Sequence, residues 1–236
     1  MGNEKIIKYV ITAFLLFFFI QPAENAQTIS VRINSGINFF NMKDLKEFQK
    51  TMNVEWLGTK TLKSFPSYYN YQLQAAFLFS RHIVGGIYTD YTSTGGRLDY
   101  KDYSGEIRYD QVVSRLSIGA LFEYKIFNAG MFSIDLSSKI SYQASKLKFE
   151  SLLQIQGDKQ TGTSEFTSDG IGIEPGAAAG FTYSFFLIRL EAGYQLSFSG
   201  NYTSKEHKLN TVRETLGDIK PEWNCFKLTV TFGVVI

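Results

Sequence analysis

Two histidines and one cysteine are the residues of this chain best suited to nucleophilic or metal chemistry. His207 lies in SKEHKLN, with Ser204 and Glu206 nearby. A His, a Ser and a carboxylate can activate a nucleophile when a fold brings them within hydrogen-bond reach. In a polar stretch such neighbours arise by composition alone. His82 stands near a predicted turn with no such company. Asp99, Asp102 and Glu106 in LDYKDYSGE could offer oxygens to a hard cation, but their spacing is not that of a calcium-binding loop. GDKQTGTSEF, residues 157–166, lacks phosphate-loop spacing and reads as a flexible loop. Cys225, alone, can form neither an internal disulfide nor a zinc cluster, and reads as a small packing residue. The expectation is a chain with no catalytic residues, no metal site and no cofactor.

Charge and composition narrow the class. Lys+Arg number 24 and Asp+Glu 22, a formal net charge of +2. That balance predicts no nucleic-acid partner and no polybasic membrane anchor. Aromatic residues make up 16% of the chain, with 14 Tyr and 21 Phe, and there are only 4 Pro. Aromatic and β-branched side chains fit pleated surfaces, so the profile predicts β-structure. The N-terminus reads separately. Lys5 and Lys8 precede an apolar run over 10–20, which Pro22 breaks before the small residues Ala23 and Ala26. Charged, apolar and small-residue zones in that order predict a cleaved signal peptide, residues 1–26. The run is short of the roughly 20 apolar residues a spanning helix needs. Residues 27–236 are then one exported domain.

Within that domain apolar residues recur with a period of two, the pattern of strands. In TISVRINSGINFF, Ile29, Val31, Ile33, Ile37 and Phe39 share a face opposite Ser30, Arg32, Asn34 and Gly36. In LSIGALFEYKIF, Leu116, Ile118, Ala120, Phe122, Tyr124 and Ile126 oppose Ser117, Gly119, Glu123 and Lys125. FKLTVTFGVVI sets Phe226, Leu228, Val230, Phe232, Val234 and Ile236 against Lys227, Thr229 and Thr231. YYNYQLQAAFLFS, MFSIDLSSKISYQAS, DGIGIEPGAAAGFTYSF and FLIRLEAGYQLSFS behave alike, and HIVGGIYTDYT does so less regularly. Connections alternate in length. Short ones fall near Ser80 and Arg81, at NAG over 128–130, and around Ser184. Long polar ones cover 41–67, 95–105, 146–168 and 204–222, the first with a short helix candidate, DLKEFQKTMN.

What the faces carry decides the kind of sheet. One face is aliphatic and aromatic. The other holds Arg32, Asp90, Arg115, Glu123, Lys125, Asp135, Lys139, Glu174, Arg189, Glu191 and Lys227, interspersed with glycines such as Gly180 and Gly233. Soluble ligand-binding barrels turn the apolar face inward. Missing side chains beside long Arg and Lys chains instead suit a narrow lumen. The charged face is therefore predicted to point inward and the apolar face toward lipid. The expected fold is all-β: an eight-stranded antiparallel up-and-down transmembrane β-barrel with short periplasmic turns and long extracellular loops. Such a barrel has an interior that side chains can fill. Six of the inward charges are positive and five negative, which predicts a structural network of paired charges plugging the lumen. Phe122 and Tyr183 near the short turns, and Tyr71 and Tyr142 near the long loops, suit interfacial girdles.

The segments LSIGALFEYKIF and FKLTVTFGVVI, together with the NAQT junction, resemble the small outer-membrane β-barrel family common in Bacteroidota. That family has OmpA/OmpX-like eight-stranded architecture and includes the PorT-type proteins. The resemblance covers the chain beyond its first 26 residues and includes no catalytic motif. It implies the bacterial outer membrane as location, with outer-membrane lipid and the barrel-insertion machinery as partners. Many such barrels end on an aromatic residue, whereas this chain ends on Ile236, with Phe232 the nearest aromatic. Some eight-stranded barrels modify lipid A with a His, a Ser and an acidic residue, and here only the His207 stretch offers that set. A monomer without enzymatic activity is expected, with a structural or surface-interaction role and a protein or surface ligand at the extracellular loops. The resemblance also implies an alternative, a component of a secretion or envelope-assembly machine, and a narrow pore for small solutes is a further one.

Overall fold

A computed structural model of the chain describes residues 29–40, 42–45, 47, 68–101, 103, 105–155, 158–204 and 219–236. The signal peptide expected over 1–26 lies outside the described residues, as do Asp102, Glu206, His207 and most of the first and last long connections.

Period-two sequence becomes strand: β1 (Ile29–Phe40), β2 (Tyr68–Leu78), β3 (Ile83–Lys101), β4 (Gly105–Ala129), β5 (Phe132–Ile155), β6 (Asp158–Tyr183), β7 (Phe186–Ser199), the two-residue β8 (Thr203–Ser204) and β9 (Cys225–Val235). All pairings are antiparallel. The order runs β5–β4–β3–β2–β1–β9–β7–β6, and β5 pairs with β6, so eight strands close a ring. β8 attaches to β6. The first and last barrel strands form the closing seam, with Ile33 opposite Phe232. At its end Ile29 N donates to Ile236 O at 3.0 Å and Ile236 N donates to Ile29 O at 2.7 Å. Within the closed ring each strand is paired on both sides, whereas in the projecting part β3 beyond Thr92 pairs with β4, and β6 before Phe166 pairs with β5.

Alternation sorts the side chains. β1 is exposed and buried at strictly alternate positions. Outward-facing Ile33, Ile87 and Ile118 are 63–65% exposed, while inward-facing Arg115 is 0% exposed. Three tight turns and both strand ends at Ile29 and Val235 gather at one end of the barrel. Gly130 turns β4 into β5 with φ 63°, and Ser184 turns β6 into β7 with φ 53°. The second turn has no Gly or Asn, so a serine adopts the left-handed conformation there. A β-bulge lies near this end. Lys125 pairs with Asp135 but Phe127 pairs with Ile134, which lets Ile126 and Phe127 both face outward.

Two expectations are corrected. Residues 95–105 and 146–168, expected as long loops, are strand almost throughout, because β3 runs to Lys101, β4 starts at Gly105, β5 reaches Ile155 and β6 starts at Asp158. GDKQTGTSEF, expected as a flexible loop, lies in β6 from Asp158 onward, in continuous register with β5. The physical reason is that most of these positions are polar on both faces, with residues 158–163 exposed without interruption. Where both faces meet water, ladder hydrogen bonds persist while the apolar period disappears. β4, β5 and β6 have 25, 24 and 26 residues, against the roughly 9–11 that a tilted strand needs to span a bilayer. In the DLKEFQKTMN stretch a helical turn is present at 43–45 and 47.

The ladder between β6 and β7 is interrupted. Pairing passes from Ile173↔Leu196 directly to Gly176↔Gly193, skipping Glu174 and Pro175. Pro175 has no N–H to give to a ladder.

Candidate functional site: the charged lumen and its cap

Because alternate residues of every strand point inward, the ring brings charges from seven strands into one narrow interior. Toward the turn end, Arg32 of β1 places Nη1 2.7 Å from Glu123 Oε1 of β4. Arg189 of β7 bonds the same oxygen and places Nη2 3.2 Å from Asp135 Oδ2 of β5. Deeper in the barrel, Lys139 Nζ lies 3.1 Å from Glu174 Oε1 and 2.9 Å from Glu191 Oε1. Lys227 Nζ lies 2.6 Å from Glu174 Oε2 and 3.3 Å from Asp90 Oδ2. Arg115 Nη2 completes this group, 2.6 Å from Asp90 Oδ2. Each group is neutral in itself: Arg32 and Arg189 face Glu123 and Asp135, while Arg115, Lys139 and Lys227 face Asp90, Glu174 and Glu191. Taking charges out of water is costly unless each finds a partner and further hydrogen bonds. Neutral neighbours supply part of them. Ser137 Oγ donates to Glu191 at 2.8 Å, and Asn70 Nδ2 donates to Asp90 at 3.3 Å.

Ten of the eleven charges expected to face the lumen are buried in it. The eleventh, Lys125, is half-buried at the turn end, directly across from Asp135. A cavity of about 210 Å³ opens among Arg32, Glu123, Lys125, Asp135, Arg189 and the turn residues Gly130, Met131 and Thr182. A small apolar cluster, Ala76, Val84, Tyr88 and Leu121, interrupts the polar interior on one side.

The opposite end holds a feature that the sequence reading missed. Phe40, Met42, Leu45, Tyr202, Ile219, Trp223 and Cys225 pack with the inward-facing Val113, Leu147 and Phe166 into a buried apolar cluster. Trp223 is its centre. The indole Nε1 donates to Ser145 Oγ at 2.7 Å, its ring meets Phe40 edge-on at 5.2 Å, and the Arg115 guanidinium lies 5.0 Å from the ring centroid. The last contact ties cap to charge network by a cation–π interaction. Burial pushes the Tyr202 phenol well above its usual pKa. A signal for the cluster existed in the sequence. Val113, Leu147 and Phe166 keep the parity of the charged face yet are apolar, which marks the level at which the lumen changes from ionic to apolar.

The carboxylates of the network are engaged by cations, and His82 lies at a turn, 6.1 Å from the Tyr124 ring centroid. Among the described residues no three His, Cys, Asp or Glu are grouped to hold a metal ion.

A closed eight-stranded ring with an aliphatic exterior and an ion-paired interior is the architecture of a small transmembrane β-barrel. No protein-family model matches the chain, and no curated protein sequence matches it. Solved structures similar to it include a major outer membrane protein from Thermus thermophilus, at TM-score 0.49 and 10% identity, covering 90% of this chain and 100% of that one. Ail, the attachment invasion locus protein of Yersinia pestis, in complex with the heparin analogue sucrose octasulfate, gives TM-score 0.42 and 13% identity over 90% of this chain and 100% of that one. Neisserial surface protein A gives 0.33 and 11%, over 90% and 99%.

Proposed function

We propose that this chain is an integral protein of the bacterial outer membrane, a filled barrel without catalytic function that presents its extended strands and loops at the cell surface. One observation carries the reading: isoleucines face outward around a ring whose interior buries Arg115, Lys139 and Lys227 almost completely. Water on the outside would make that partition unfavourable, whereas acyl chains make it favourable. Outer-membrane lipid is then the principal partner, the barrel-insertion machinery a transient one, and the working state a monomer. The neutral side-chain network fills the lumen, so its role is structural.

The surface role falls to the part of β3–β6 that stands beyond the membrane. It is charged and well ordered by pairing: Arg108 Nε lies 3.1 Å from Asp110 Oδ2, and Lys146 Nζ lies 2.8 Å from Glu165 Oε2. Tyr103 at the β3–β4 tip is fully exposed. Such a surface suits a protein or surface ligand. The resemblance to PorT-type barrels supports a second reading, a component of a secretion or envelope-assembly machine. Co-purification with secretion proteins after mild solubilisation favours that reading over the first.

Fractionation tests the proposal. The protein is expected in the outer-membrane fraction, migrating faster unheated than boiled on a detergent gel. Recovery in the soluble fraction with no heat-dependent shift contradicts it.

A further inference from the structure

The charge network is not the outermost barrier. We infer that the surface end of the lumen is closed by a separate lid, an apolar cap centred on Trp223 that seals the interior from external solvent. The inference rests on the barrel reading above and assigns a closing device to one end of it.

Three observations carry the lid. First, loop segments fold back into the mouth. Met42, just after β1, is fully buried with φ 42°, a left-handed conformation that a long side chain rarely adopts, and there the chain turns inward toward Leu45. A strained conformation persists only where its surroundings over-determine it. Second, the two segments that build the lid clasp each other reciprocally. Lys43 N donates to Glu222 Oε2 at 2.8 Å, and Lys220 N donates to Asp44 Oδ2 at 3.4 Å. Tyr202 N donates to Ile219 O at 3.0 Å, which adds the β7–β8 segment. Third, the lid spans the opening. It packs against Val113 on β4, Leu147 on β5 and Phe166 on β6, and Trp223 Nε1 bonds Ser145 on the far wall. An indole that spends its one donor on Ser145 and its face on Arg115 is fixed at both ends of its polarity.

Cys225 is a reporter placed by the chain itself. Its side chain faces inward, 2% exposed, between Trp223 on the lid and Lys227 in the network. It is also the one cysteine of the chain. A water-soluble maleimide therefore reads the seal directly in the purified, detergent-folded protein.

Wild-type Cys225 is expected to react slowly until the barrel is denatured. Trp223→Ala is expected to raise the rate by at least about tenfold, because losing a large buried side chain increases local opening. Asp44→Ala combined with Glu222→Ala, which removes the clasp and leaves the apolar residues in place, is expected to change the rate in the same direction. Lys139→Met with Glu191→Gln, which alters the network below, is expected to leave it near wild type. Heat-modifiable migration is measured on each sample. Loss of the shift in the wild type overturns the barrel reading itself. If the shift is intact and wild-type Cys225 reacts rapidly, the lid inference is overturned. It is equally overturned if both lid variants keep the shift and label as slowly as wild type. Should Trp223→Ala not fold, the clasp variant decides between these outcomes.

Discussion

Lys227 of β9 holds Glu174 of β6 at 2.6 Å across the lumen, although β7 stands between their strands in the wall. The contact is a chord rather than a neighbour pairing, and Lys227 extends it to Asp90 on β3. Cross-lumen chords of this kind tie together strands that share no ladder, and the consequences can be measured.

Lys227→Met leaves Asp90 with Arg115 alone and Glu174 with Lys139 alone, both carboxylates still buried. Removing one partner from a buried charge cluster costs about 3–5 kcal/mol. Urea unfolding in lipid vesicles is expected to show a loss of that size. Adding Glu174→Gln is expected to cost less than the sum of the two single losses, because the residues belong to one network. Strict additivity would mean that the chord carries no coupling.

Ile118 points outward from the middle of β4 and is 64% exposed. Ile118→Arg places a guanidinium in the hydrocarbon, where Arg costs about 2–4 kcal/mol near the bilayer midplane. Thr161→Arg, on the exposed outer part of β6, is expected to change stability by no more than about 0.5 kcal/mol, as ordinary surface substitutions do. Equal effects at both positions would remove the distinction between membrane belt and projecting sheet.

Two inward glycines differ in what surrounds them. A β-carbon on Gly119 would lie 2.0 Å from the Ile140 carbonyl oxygen and 2.7 Å from the Ser141 Cα, so backbone would have to move. On Gly180 it would meet Ser133 Oγ at 2.9 Å and Arg189 Cγ at 3.1 Å, both movable side-chain atoms. Gly119→Ala is therefore expected to destabilise the barrel by about 1–3 kcal/mol, the usual range for overpacking, and Gly180→Ala by less. Thermal melts followed by the gel shift give the order.

Pro175 coincides with the gap in the β6–β7 ladder. Pro175→Val supplies the missing N–H and a strand-favouring side chain on the outward face. A net gain of about 1 kcal/mol is expected, the scale of one added hydrogen bond, with slower amide exchange in β7 around Tyr194. Unchanged exchange there would show that the gap has a cause other than proline.

The sequence makes the membrane-embedded part of the fold legible and hides the rest, for a physical reason. Where one face meets lipid and the other a polar lumen, apolar and polar residues alternate, as from Ile29 to Asn34. That contrast locates the strands and sorts the eleven charges onto one face. Which charge meets which depends on the ring's registers, and Lys227 with Glu174 is a pairing that no local pattern encodes. Above the membrane both faces are wet, so residues such as Thr161 and Thr163 look like loop while they pair with Leu152 and Glu150. The lid is hidden in another way. Its centre, Trp223, stands ahead of β9 in a stretch expected as loop, and the hints are that Ile219, Trp223 and Cys225 alternate with Lys220, Glu222 and Asn224 and that Val113, Leu147 and Phe166 are apolar at inward positions.

Conductance tests the filled barrel most directly. Heat-modifiable, folded protein is inserted into planar bilayers, insertion is verified by protease protection of the strands, and current is recorded under an applied voltage. A lumen filled by two neutral charge clusters is expected to give no steady unitary currents. Large, long-lived, uniform current steps from the wild-type protein would contradict it.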